Sequence, residues 1–160
     1  GDREKKLEIL KDPHCGAFAV IRLCTYFLAY FCFAFCIRFS PRVGLCWTLA
    51  LVLERGLSGL AVAAFPMAKN TGLAHTFATA ADRESVKKIL IVLSVLLAAA
   101  LIALGGGALV AAALLVLWRY HHVAVKEFGG ITGDLAGWFL QKAEFWMLAA
   151  LAASQWGGIL

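Results

Sequence analysis

Residues 89–118 read ILIVLSVLLAAALIALGGGALVAAALLVLW. As one helix these thirty apolar residues would extend about 45 Å, against a hydrocarbon core of about 30 Å. Gly105-Gly106-Gly107 falls at the middle. Consecutive glycines weaken a helix and suit a tight turn. The stretch is therefore expected to form two short spans joined by a glycine hairpin. The topology hangs on this choice, because two spans here make five crossings in all and one makes four.

The flanking sequence supplies the other crossings. Gly1 to Asp12 is polar, with Leu7 and Leu10 spaced for one face of a short surface helix. Ala17 to Phe39 is apolar except for Arg22, and Ser40-Pro41-Arg42 reads as a turn. Val43 to Phe65 is a second span holding Glu54 and Arg55. Pro66 to Lys88 and Arg119 to Asp134 read as polar loops, and Leu135 to Ala153 as the last span. Five crossings put Arg3, Lys5, Lys6, Lys11, Lys69, Arg83, Lys87, Lys88, Arg119 and Lys126 on one side, against Arg38 and Arg42 on the other. Four crossings would blur that asymmetry. The positive side is expected to be cytoplasmic, with the first residue inside and the last outside. The fold class expected is all-α, a polytopic integral membrane helical bundle of about five transmembrane helices, with residues 1–160 as a single membrane domain.

Composition agrees. The chain is 62% hydrophobic and 16% charged, with a mean hydropathy of +0.81. A soluble domain is nearer half apolar and a quarter charged. The net charge of +5 then reads as a topology signal. No basic run is interleaved with aromatics as in a base-stacking surface, so nucleic acid is not an expected partner; membrane lipid is. The five cysteines, Cys15, Cys24, Cys32, Cys36 and Cys46, contain no CxxC pair and read as small apolar residues. His121 and His122 are adjacent and diverge on a helix, and His14 and His75 stand alone. A transition-metal site is not expected.

The polar residues expected to carry chemistry concentrate on one face. GGITGD, residues 129–134, sets flexible backbone against a helix start. Its glycines, Gly130 and Gly133 among them, allow close approach to a ligand, and a helix N-terminus favours anions. Thr132 is either the N-cap or a ligand to phosphate or metal-bound water. Asp134, Gly137, Gln141 and Glu144 fall within an arc of about 80°. Ionisable groups within a span are functional by default, the alternative being a packing stripe with Glu144 paired to a cation. Lys142 lies off this arc and either pairs locally or snorkels. Lys11 and Asp12 stand at the entry to the first span. Asp12 and Asp134 on one face could hold a Mg²⁺ ion that bridges substrate phosphates. Arg55 either pairs with Glu54 or takes a phosphate. Lys69 and Arg83 are either phosphate contacts or solvated surface.

Two stretches resemble a known family. REKKLEILKDPHCGAFAVI, residues 3–21, and FGGITGDLAGWFLQKAE, residues 128–144, are similar to the R-x-x-x-LEI-x-KD and GG-x-TGD-x-x-G segments of the cobalamin synthases, the adenosylcobinamide-GDP ribazoletransferases. Glu54-Arg55, and Pro66 with Lys69 and Gly72-Leu73, look like that family's central arginine and proline-to-Gly-Leu loop. The resemblance implies an integral membrane transferase of the bacterial or archaeal cytoplasmic membrane, with its active site facing the cytoplasm. It would pass the cobinamide phosphoryl group of adenosylcobinamide-GDP to the hydroxyl of α-ribazole or its 5′-phosphate, releasing GMP, with Mg²⁺ as cofactor.

Carried over by position, the resemblance implies catalytic roles for Asp134, Asp12 and Lys11, with metal on Asp12 and Asp134. It implies substrate contacts at Arg55, Lys69, Gly130, Thr132, Gly133 and Glu144. It also implies an aspartate-rich segment of the H-x-DG-x-x-D kind ahead of residue 1, so that the chain reads as the C-terminal part of the enzyme with an incomplete metal site. Two competing readings are a membrane phosphotransferase of the CDP-alcohol type and a small transporter subunit. Homo-oligomerisation is left open by the sequence.

Overall fold

The computed structural model describes residues 3–10, 12, 14–68 and 83–160. Among these the regular structure is helical, apart from one isolated β-bridge. Helix α1 (Arg3–Ile9) is short and buries only Leu7. Helix α2 (Ala17–Cys36) is apolar apart from Arg22 and Thr25, and none of its residues is buried. Helix α3 (Pro41–Ala64) starts on Pro41, with the Ser40 hydroxyl accepting from Val43 N at 3.2 Å. Proline is favoured at the first helical position, where its missing N–H costs nothing. The expected turn is thus a helix start. Helices α4 (Arg83–Ala103) and α5 (Gly107–Val123) follow, and α5 runs on through a π-helical turn, Ala124–Phe128. Helix α6 (Gly133–Trp156) ends the chain.

The glycine hairpin forms as expected. Helix α4 ends at Ala103 and α5 begins at Gly107. Gly105 N donates to Ile102 O and Gly106 N to Leu101 O, at 3.0 and 2.7 Å. Gly105 adopts φ +89°, and a Cβ there would meet Arg42 Nη2 at 3.0 Å and Ile159 O at 3.3 Å. Gly105→Ala is therefore expected to cost on the order of 1–2 kcal/mol. A fall of a few degrees in the melting temperature of the detergent-solubilised protein would register it.

Two expected loops are shorter than anticipated. Residues 83–88 belong to α4, and residues 119–128 continue α5 and its π turn. Arg119, His121, His122, Lys126 and Glu127 are polar but none breaks a helix, so the ladder runs on to Gly129, which caps it with φ +72°. Polarity was the wrong signal there; the first glycine was the right one.

Four helical stretches are long and apolar enough to cross a membrane: α2, α3, α4, and α5 with its π turn. Helix α6 has 24 residues, ample for a crossing, but Asp134, Gln141, Lys142 and Glu144 lower its hydropathy. Helix α5 packs along α6, α3 along α4, and α2 chiefly against α6. The core joins Cys46, Ala50 and Leu53 of α3 to Leu101 of α4, Leu109 and Tyr120 of α5, and Phe139, Ala143 and Met147 of α6. Small residues such as Ala50 and Ala143 let the helices approach closely. Tyr120 stacks on Phe139 with ring centroids 5.2 Å apart. Large apolar side chains, among them Phe18, Phe35 and Leu115, point outward, as lipid-facing positions require.

Candidate active site at one end of the bundle

Three chain segments meet at the end of the bundle where α3 finishes and α6 begins. Pro66 to Ala68 lies parallel to the GGITGD turn, linked by the bridge between Met67 and Ile131. Ile131 N donates to Pro66 O at 2.8 Å, and Ala68 N donates to Ile131 O at 3.0 Å. Helix α1 closes over this pair. Lys6 forms an ion pair with Glu127 of the π turn, and Arg3 Nη2 donates to Ala68 O at 3.3 Å. The Arg3 guanidinium fills the space a side chain on Gly129 would need, and the backbone of Pro66 to Ala68 fills that at Gly130. The glycines thus let three pieces of chain touch, an approach that side chains would prevent.

Thr132 resolves one alternative. It is the N-cap of α6, its hydroxyl accepting from Leu135 N at 3.3 Å. Asp134 stands in the first turn of α6, exposed. Among the described residues no hydrogen bond or ion pair engages its carboxylate. An acid there is favoured by the helix dipole and is free to meet a cation or solvent. Gly133 is exposed with open space at its Cβ position.

Asp12 is also exposed, but not free. Its Oδ1 accepts from His14 N at 2.9 Å, and His14 Nδ1 lies 2.8 Å from the same oxygen. These bonds, the backbone one foremost, hold the Asp12 carboxyl below the ordinary carboxylate range. Among the described residues the other oxygen, Oδ2, has no partner. His14 was read as a lone histidine, and an Asp two residues before a His was the available signal. Lys11 and Lys69 lie outside the described residues.

Other expected site residues sit apart from this end. Glu144 is ten residues beyond Asp134, about 15 Å along α6. It accepts from Tyr30 Oη of α2 at 2.7 Å, a partner the sequence did not indicate. The arc of Asp134, Gly137 and Gln141 is exposed, and only Glu144 is partly covered. Glu54 is fully buried, and Arg55, with its side chain 61% exposed, reaches it at 3.4 Å. The ion-pair reading of Arg55 is therefore realised. Arg83 is likewise engaged: its Nε donates to Ala63 O at 2.7 Å, satisfying a carbonyl at the end of α3. It was expected as a phosphate contact or as solvated surface, and here it ties α4 to α3.

The donor set can be weighed for Mg²⁺. Among the described residues no three His, Cys, Asp or Glu side chains gather to hold a metal ion. Mg²⁺ does not need three: it keeps several waters and takes one or two carboxylates together with substrate phosphates. The unengaged Asp134 carboxylate and the spare oxygen of Asp12 are hard donors of that kind. All five cysteines are free, with Cys46 alone buried.

Comparison with known proteins shows the family. Residues 1–152 match the model of the cobalamin-5-phosphate synthase family. The adenosylcobinamide-GDP ribazoletransferase of Lachnoclostridium phytofermentans is 39% identical over 153 residues, covering 94% of this chain and 57% of that protein. The enzyme of that name from Pseudomonas syringae pv. tomato is 31% identical over 153 residues, covering 95% of this chain and 62% of its own. The chain thus spans about three-fifths of the length of these relatives. No solved structure matches it.

Proposed function

The chain belongs to the cobalamin-5-phosphate synthase family, and on that premise we propose that it serves as the adenosylcobinamide-GDP ribazoletransferase of a bacterial or archaeal cytoplasmic membrane. The reaction joins α-ribazole, or its 5′-phosphate, to the cobinamide phosphate. The ribose hydroxyl oxygen forms a bond to the phosphorus bearing the cobinamide. The bond from that phosphorus to the oxygen bridging to GMP breaks, and GMP leaves with the electron pair. The hydroxyl proton passes to a carboxylate, as general base catalysis requires. The observation that carries this reading is the junction of α1, Pro66–Ala68 and the GGITGD turn at one end of the bundle.

Asp134 and Asp12 would hold Mg²⁺, which when bound offsets charge on the transferred phosphoryl group and on the pyrophosphate. The chain's own residues do the rest. The open backbone at Gly133 admits close approach of the diphosphate, and the capped start of α6 favours its charge; Gly130, expected as a substrate contact, is instead buried against Pro66 to Ala68 and shapes the turn. Thr132 contributes by fixing that start rather than by ligation. Lys11 and Lys69 are proposed to neutralise the leaving GMP. Arg55 and Glu144, lying deeper, suit contacts to the far part of the substrate. The charge asymmetry of the loops supports a cytoplasmic position for this end.

The test is GMP release. Full-length protein, purified in detergent and supplied with adenosylcobinamide-GDP, α-ribazole and Mg²⁺, is expected to release GMP in equal amount to the cobalamin formed. Folded protein that releases none under these conditions would overturn the reading.

A further inference from the structure

Lys142 takes no part in the site described, and neither do Arg22 and Arg119. The three meet in a groove of about 660 Å³ between α2, α5 and α6, lined also by Trp138, Leu115 and Trp146. Among the described residues no carboxylate lines it. Among the described residues none of the three cations has an ion-pair or hydrogen-bond partner. Unpaired cations within membrane-spanning helices are costly unless an anion or water meets them.

The groove is also graded along its length. Helix α2 starts, α5 ends and α6 starts at the same end of the bundle, since the far ends meet through Gln155, which bonds the Arg38 backbone. From that rim, taken at Phe128 where the π turn ends, Arg22 lies about 8 Å deep, Arg119 about 13 Å and Lys142 about 14 Å. Beyond them come Trp146, about 20 Å deep, and Ala112, about 23 Å deep. The mouth is cationic and the depth apolar. Leu115 and Trp146 are 66% and 53% exposed, so the apolar part opens sideways to the hydrocarbon. A free phosphate would satisfy the mouth and leave the rest unused. An amphiphile with an anionic head matches both parts.

We propose that this groove is a binding site for one anionic phospholipid, its phosphodiester held by Arg22, Arg119 and Lys142 and an acyl chain lying along Leu115 and Trp146. Basic pockets between membrane helices hold anionic head groups in this way. Trp138, about 8 Å below the rim, suits the interface between head group and chain. The site is independent of the proposed reaction.

Native mass spectrometry of the full-length protein in detergent, titrated with phosphatidylglycerol or with phosphatidylcholine of the same chains, tests it. One phosphatidylglycerol per protomer is expected to be retained in preference to phosphatidylcholine. Arg119→Ala combined with Lys142→Ala is expected to weaken its retention about thirtyfold, each basic residue contributing about fivefold. Millimolar inorganic phosphate should not displace the lipid. Equal retention of the two lipids would overturn the proposal. So would unchanged retention in the double variant, displacement by phosphate, or a protomer–protomer contact that the double substitution abolishes. If the double variant fails to fold, the lipid comparison on the unsubstituted protein decides, alongside Arg119→Lys with Lys142→Arg, which should keep the preference.

Discussion

Replacing Asp134 with asparagine is expected to lower GMP release by about a hundredfold to a thousandfold, the usual cost of removing one group that stabilises developing charge. Asparagine keeps the shape and position of the side chain in the first turn of α6. It removes the negative charge that would hold a divalent cation and accept a proton. The structural cost should be small. The carboxylate is exposed and unpartnered among the described residues, so folding loses only its interaction with the helix dipole, about 0.3–1 kcal/mol. The prediction is thus a large fall in turnover with a nearly unchanged melting temperature. Steady-state GMP release and thermal unfolding on one preparation measure both. Normal turnover in the variant would remove Asp134 from the centre of the proposed site. Raising the Mg²⁺ concentration should recover part of the activity if the loss lies in holding the ion.

The second large effect is expected at Gly130, by a different route. Gly130 has φ +154°, and a Cβ there would stand 2.5 Å from Ala68 N and Met67 C, and 2.6 Å from Pro66 O. These are backbone atoms, and no side chain can swing aside. Gly130→Ala must therefore open the bridge between Met67 and Ile131 and give up both of its hydrogen bonds, at 2.8 and 3.0 Å. Overpacking costs about 1–3 kcal/mol, and each lost hydrogen bond about 1 kcal/mol more. The melting temperature should fall, the Ile131 amide should lose protection from hydrogen exchange, and GMP release should drop at least as far as in the asparagine variant. Gly107→Ala is the control. Gly107 is the first residue of α5, at the opposite end of the bundle, with nothing within 4 Å of its Cβ position. It should be indistinguishable from the parent protein. Equal behaviour of the two variants would mean that the bridge does not organise the site.

The two predictions separate two sources of information. Asp134 was legible in the sequence because its signal is local: an acid placed just after a glycine-rich turn at the head of an apolar helix. Thr132 was half legible, since an N-cap and a phosphate ligand look alike until the hydroxyl is seen accepting from Leu135 N. The pairing at Gly130 was not legible at all. Met67 and Ile131 are 64 positions apart, and neither carries a mark of the other.

The same division runs through the rest of the molecule. The sequence by itself determined the helices and the hairpin at Gly105, because hydropathy, glycine, proline and helix caps act within a few residues of where they stand. It misjudged how far α4 and α5 extend, where polar residues without a breaker were read as loop, and it read as a turn the Pro41 that starts α3. Everything that depends on how the helices are rotated against one another was decided by the tertiary structure. Packing alone set Glu144 against Tyr30, turned Arg83 onto the end of α3 and laid α1 over the bridge. Packing also gathered Arg22, Arg119 and Lys142, from three separate helices, around one groove. Helix periodicity says which residues share a face, but which faces meet is settled by burial of the core from Cys46 to Met147, an interaction that no short stretch of chain contains.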